Sequence, residues 1–151
     1  MKEVGINFKG SCSIGNAAEE ALRDVLSKYG YTHPVIMVGY FKDYDIKTDG
    51  GTFEIKNDVS SKGTGNFFIE LMYNGNPSGI KSTLADYFVI VDMGDRKAYV
   101  APTPRVKEFL TQNRQFLQIK IGGDDGKSTG VIVPIGSYTP SHICGLQVWD
   151  V

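Results

Sequence analysis

The sequence predicts a single α/β domain: a helix, a three-stranded antiparallel hairpin sheet, a short helix and a strand, followed by an α/β extension. Three observations carry this. Ala18, Ala21, Leu22, Val25 and Leu26 recur at helical spacing. Asp49-Gly50-Gly51 is a tight hairpin signal between two strand-like runs. Asp86 to Asp92 (DYFVIVD) is almost continuously apolar, the pattern of a strand covered on both faces. The 151 residues suffice for one core and leave no room for a second domain.

The elements follow in order. Gly10 to Gly15 is loop-like, and Asn16 opens the first helix with Glu19 as a capping-box partner three residues on. Gly30 is its stop. Val35 to Tyr40 is a short β-rich run. Asp43 to Thr48 and Thr52 to Asn57 are the arms of the hairpin. Val59 to Gly65 reads as a polar loop, Asn66 to Tyr73 as a third strand, and Asn74 to Gly79 as a turn. Ile80 to Ala85 has room for one or two helical turns. Lys97 to Ala101 predicts a strand. Thr103-Pro104 starts a helix whose Val106, Phe109 and Leu110 form an apolar stripe to about Asn113. Phe116 to Ile121 and Gly130 to Ile135 predict a second hairpin, and Ile143 to Val151 an edge strand. Trp149 and the pair Phe67-Phe68 read as core rather than as base-stacking surfaces.

Hydrophobic residues make up 41% and charged residues 22%, ordinary for a soluble globular protein. The net charge of −1 gives bulk electrostatics no hold on nucleic acid. DNA affinity then has to come from a local basic face or from metal ions bridging to phosphate. Cys12 and Cys144 belong to no CxxC pair, which argues against a zinc site. They are expected as buried or half-buried free thiols in a reducing compartment. The N-terminal MKEVGINFKG lacks the apolar run of a signal peptide, and the longest apolar runs are strand-sized. A cytoplasmic protein with no membrane span is expected.

Chemistry concentrates in the first hairpin, Tyr44-Asp45-Ile46-Lys47-Thr48-Asp49-Gly50-Gly51-Thr52-Phe53-Glu54-Ile55-Lys56. Two-residue alternation puts Glu54 and Lys56 on one face of a strand and Ile55 on the other. With the turn near Gly50, Asp45 lies almost opposite Glu54. Two carboxylates and an ammonium then converge on one patch. Oxygen ligands of this kind suit Mg²⁺, which keeps several waters and binds phosphate at the same time. A neighbouring lysine can orient or deprotonate water, or steady developing negative charge.

Asp45…Glu54-Ile55-Lys56 after a glutamate-bearing helix resembles the PD-(D/E)XK nuclease superfamily. Asn66-Phe67-Phe68-Ile69-Glu70, Pro77-Ser78-Gly79-Ile80 and Ala85-Asp86-Tyr87 are similar to segments of its small phage-type members. The resemblance spans roughly residues 14–92 of the sequence, with 95–151 as the extension. Tyr44 stands where the superfamily pattern has proline. The resemblance implies a restriction-endonuclease-like core and Mg²⁺-dependent cleavage of DNA, with Mn²⁺ able to substitute. A phage-encoded member would act in the host cytoplasm. It implies Asp45, Glu54 and Lys56 as catalytic residues, and Glu19, Asp45, Glu54 and the Ile55 carbonyl as metal ligands. Glu20 competes with Glu19 for the helix position, because Glu19 also fits the cap of Asn16. Glu70 is an auxiliary acid, and Lys62, Ser78 and Lys81 are candidate DNA contacts. The small size favours structure-selective or weakly sequence-specific cutting, and a homodimer suits two cuts in a duplex.

Plainer readings compete. Glu54 and Lys56 also fit an exposed pair on an edge strand with Asp45 as cross-strand partner. Asp49 fits a turn residue better than a ligand. Gly122 to Ser128 fails as a phosphate loop, since only three residues separate Gly122 from Gly126 and a strand follows. His33 and His142 are isolated in loops. The alternative function is a nuclease-like module that binds nucleic acid or protein without cutting.

Overall fold

The computed structural model describes residues 17–39, 43–59, 61–122 and 126–151. Residues 17–26 form helix α1. Its stripe is the expected one: Ala18, Leu22 and Leu26 are fully buried, and Ala21 and Val25 flank them half-buried. The loop Gly10 to Gly15 and the cap at Asn16 lie outside the described residues, as does Cys12. A 3-10 turn, Ser27–Tyr29, extends the helix, and Gly30 ends it at φ 95°. The Gly30 and Tyr31 amides donate to the Ser27 and Leu26 carbonyls, which closes the last turn.

Among the described residues the strands are β1 (Val35–Ile36), β2 (Ile46–Thr48), β3 (Gly51–Asp58), β4 (Asn66–Tyr73), β5 (Asn76–Pro77), β6 (Tyr87–Asp92), β7 (Lys97–Pro102), β8 (Gln118–Gly122), β9 (Ser128–Pro134) and β10 (Gln147–Asp150). A four-residue helix α2 (Ser61–Thr64) precedes β4, and helix α3 (Thr103–Gln112) follows β7 with Pro104 in its first turn. The strands form two sheets, in the orders β1-β2-β3-β6-β7-β10 and β5-β4-β9-β8. β3 and β6 run parallel, and the other neighbours are antiparallel.

The six-stranded sheet is covered on both faces. α1 packs on one, where Ala18, Leu22 and Leu26 meet Ile46, Phe53, Ile55, Val89 and Val91. On the other, Phe88 and Ile90 meet Phe67 and Ile69 of β4, Val131 and Val133 of β9, and Val106 and Phe109 of α3. Successive β6 side chains thus enter opposite clusters, which accounts for the continuous apolar run. A local lock sets the β3–β6 register. Asp86 Oδ2 accepts from the Thr52 amide (2.9 Å) and hydroxyl (3.0 Å), and the Asp86 amide donates back to Thr52 Oγ1 (3.0 Å).

Several expectations shift. Asn66 to Tyr73 is a strand of the expected extent, but it belongs to the second sheet and not beside the hairpin; the neighbour of β3 is β6. Laid face-on, β4 buries Phe67 and Ile69 against Phe88 and Ile90, and alternation looks the same in either arrangement. The run from Val35 contracts to two residues, and the polar loop before β4 contains α2. The helical turns after the Pro77 turn are one 3-10 turn, Gly79–Lys81. Asn74 and Gly75, at φ 50° and 81°, make the two-residue turn from β4 to β5. Cys144 is exposed, contrary to expectation, because Ile143 and Leu146 take the buried positions beside it. β10 is an edge strand as expected, and Trp149 is core, stacked on Tyr29 at 4.3 Å. Among the described residues no helix is long and apolar enough to cross a membrane.

Candidate active site

The first hairpin turns through Asp49-Gly50, with Thr48 paired to Gly51. The Thr48 hydroxyl donates to the Gly51 carbonyl (2.8 Å) and accepts from the Gly50 amide (3.1 Å). Thr32 and His33 both contact the Asp49 carboxylate, so Asp49 anchors the turn and is held below the usual carboxylate range, chiefly by His33. The His142 ring meets the Thr139 hydroxyl.

The β2–β3 ladder ends with Ile46 paired to Phe53, and Asp45 precedes it in a bend. The Asp45 amide donates to the Phe53 carbonyl at 2.8 Å. Asp45 is buried, and its Oδ2 accepts from the Ile55 amide at 2.7 Å. An amide and carbonyl of one strand residue point the same way, so the Ile55 carbonyl is directed to the Asp45 side. The Ile55 side chain goes to the α1 cluster.

Glu54 and Lys56 share the opposite face, where their β6 neighbours are Phe88 and Ile90. Lys56 Nζ stands 3.4 Å from Glu54 Oε2; the two side chains are 39% and 16% exposed. The Thr83 hydroxyl donates to Glu54 Oε1 at 3.3 Å and accepts from the Ala85 amide at 3.1 Å. Burial raises the Glu54 carboxyl above its ordinary value; Lys56 opposes this and the Asp45 charge adds to it. Thr83 escaped sequence reading. No local pattern marks it, and only the return of the chain into β6 brings it to Glu54.

The other candidates are placed as follows. Glu19 is half-buried and Glu20 exposed, both on α1, whose stripe packs on the Ile55 face rather than the Glu54 face. Among the described residues no three His, Cys, Asp or Glu side chains gather closely enough to hold a metal, so neither glutamate joins Asp45 and Glu54 in such a cluster. Glu70 is half-buried on β4. Both its oxygens accept hydroxyls, one from Ser78 and one from Ser128 at 2.6 Å. Ser78 thus serves Glu70. Lys81 is exposed at the end of its 3-10 turn. Lys62 is exposed on α2 and lines a different hollow, with Asp92 and Gly94. Lys56 and Glu70 line a common cleft between the two sheets. Phe68 corrects the core expectation: Phe67 is buried, but Phe68 is half-buried in that cleft.

The donor set of two carboxylates and a backbone carbonyl is hard and oxygen-only, the kind Mg²⁺ takes with one or two carboxylates and retained waters. A cation there would relieve the repulsion between Asp45 and Glu54.

Neither a family model nor a curated protein matches the sequence. Among solved structures, the chain is similar to the bacterial homing endonuclease I-Ssp6803I at 20% identity and a TM-score of 0.46. The match covers 59% of this chain and 66% of that one, just under two thirds of its length.

Proposed function

We propose that this chain is a divalent-metal-dependent endonuclease that hydrolyses phosphodiester bonds in DNA, structure-selective or weakly sequence-specific. The observation that carries the reading is the Glu54–Lys56 pair on β3 with the Asp45 charge close enough to act on Glu54. The PD-(D/E)XK pattern of the sequence agrees with it. Asp45, Glu54 and the Ile55 carbonyl would hold Mg²⁺ or Mn²⁺. When bound, the ion would acidify a coordinated water and offset negative charge on phosphate. Thr83 and Lys56 orient Glu54 from its two oxygens. Lys56, partly open to solvent, would position the attacking water and steady charge on the phosphoryl oxygens.

The test is a cleavage panel of branched, nicked, duplex and single-stranded DNA with Mg²⁺ and Mn²⁺, run beside Lys56→Ala. Metal-dependent cutting that the variant lacks is expected. Equal cutting by both proteins overturns the assignment. That no third carboxylate among the described residues joins Asp45 and Glu54 favours a second reading, a non-cutting binding module. Absence of Mg²⁺ or Mn²⁺ binding, with no cleavage of any DNA form, would select it.

A further inference from the structure

A cleft of about 750 Å³ lies between the Lys56 face of the six-stranded sheet and the second sheet. Lys56, Phe68, Glu70, Gln118, Lys120 and Ser128 are among its lining residues. Phe68 has a built seat there. A Cβ at Gly130 would meet its ring at 2.7 Å, so this glycine lets the ring lie against the β9 backbone, and a Cβ at Gly122 of β8 would lie at ordinary contact distance from it. Its neighbour Phe67 goes to the core, whereas Phe68 stays half-buried, and no other aromatic ring among the described residues stacks on it. Lys120 is exposed and pairs with Gly130 in the ladder, which places a cation beside the ring's seat. An aromatic face next to a lysine is the pairing that takes a base and its phosphate from a single strand. The volume lies within the range of pockets that enclose small-molecule-sized ligands, roughly one or two nucleotides, and not a double helix.

We propose that this cleft holds unpaired nucleotides of the substrate, a base against Phe68 and a phosphate at Lys120, delivering the adjoining backbone to Lys56. The proposal rests on the nuclease reading for its chemistry and sharpens the substrate class to DNA that presents unpaired nucleotides, such as flaps, branches or single strands.

The experiment has two arms. In the first, fluorescence anisotropy in EDTA measures binding of a short labelled oligothymidylate and of a duplex of equal length. Wild type is expected to prefer the single strand. Phe68→Leu, which keeps apolar bulk and loses the ring, should weaken oligothymidylate binding by about tenfold, since stacking is worth about 1–3 kcal/mol per base. Lys120→Gln, at an exposed position, should weaken it severalfold and reduce the salt slope by about 0.7. Thermal melts check folding, and if Phe68→Leu does not fold, Lys120→Gln decides. The second arm measures cleavage of a flap substrate with Mn²⁺ by wild type, Lys56→Ala and both cleft variants. Oligothymidylate binding by Phe68→Leu and Lys120→Gln equal to wild type, or a wild-type preference for duplex, overturns the cleft proposal even if cleavage is intact. Cleft-dependent oligothymidylate binding with no cleavage of any DNA overturns the nuclease reading and leaves the cleft proposal standing.

Discussion

Asp45 and Lys56 differ in what their loss removes. Lys56 is partly exposed and its ion pair with Glu54 involves side chains alone, so Lys56→Ala should fold normally and lose at least about 100-fold in cleavage rate, the low end for a positioned acid–base group. Asp45 is buried and satisfies the Ile55 amide. Asp45→Ala would leave that donor unpaired at a cost of about 1–3 kcal/mol, whereas Asp45→Asn keeps an acceptor and removes the charge. Denaturant unfolding should therefore separate the two variants, with cleavage lost in both. Glu54 gives a pH signature in the metal-free protein. Its carboxyl is raised by burial, so the folded state holds the proton more tightly than the unfolded chain does. The stability from this group is complete below the unfolded-chain value and is lost as pH rises through the folded one. Glu54→Gln should accordingly melt above wild type at neutral pH, and the gap should close on acidification; a gap that widens in acid contradicts the burial argument. The pairing of Glu54 with Lys56 was legible in the sequence because strand alternation is local. Thr83 was not, because its place at Glu54 depends on a crossover between sequence-distant strands.

Elements supply the rigidity behind these groups. Gly79 shows it most directly: its φ is 55°, and a Cβ would fall 2.5 Å from the Glu70 carbonyl oxygen. The β4 ladder also shifts register between Glu70 and Met72, so the glutamate sits at a bulge clamped by Ser78 and Gly79. Gly79→Ala should destabilise by about 1–3 kcal/mol and displace Glu70, read by urea unfolding. Unchanged stability would mean the clamp is slack. On the other side of the sheet, Leu22→Ala in α1 should cost about 2–5 kcal/mol as a buried truncation. The extents of β4, β6 and α3, and the stop of α1 at Gly30, followed from period and turns. Sheet membership did not follow. β4 has one buried face whether it pairs beside the hairpin or packs across it, so hydrophobic alternation cannot separate the two arrangements. The Cys144 expectation failed for a similar reason: which residues of the turn before β10 face inward is set by the sheet they dock on.

At the scale of the molecule, the proposed metal site should be visible as added stability. Ligand that binds only the folded state contributes about 2.7 kcal/mol at a hundredfold excess over its Kd. Mn²⁺ or Mg²⁺ should raise the melting temperature of wild type, and Asp45→Asn should lose most of that gain. An equal rise in both proteins would place the ion elsewhere. The site is also spread over the whole topology. Asp45, Glu54 and Lys56 are close in sequence, but β3 completes its pairing only with β6, and the Thr52–Asp86 lock spans 34 residues. Parallel pairing of this kind forms late, because a long loop must close before any contact rewards it. A nascent chain that has emerged only as far as the first hairpin therefore carries Asp45, Glu54 and Lys56 without Thr83, without β6 and without the second sheet. On the proposed nuclease reading, such a chain would not yet cut, and pairing of β3 with β6 would be the step that completes the site.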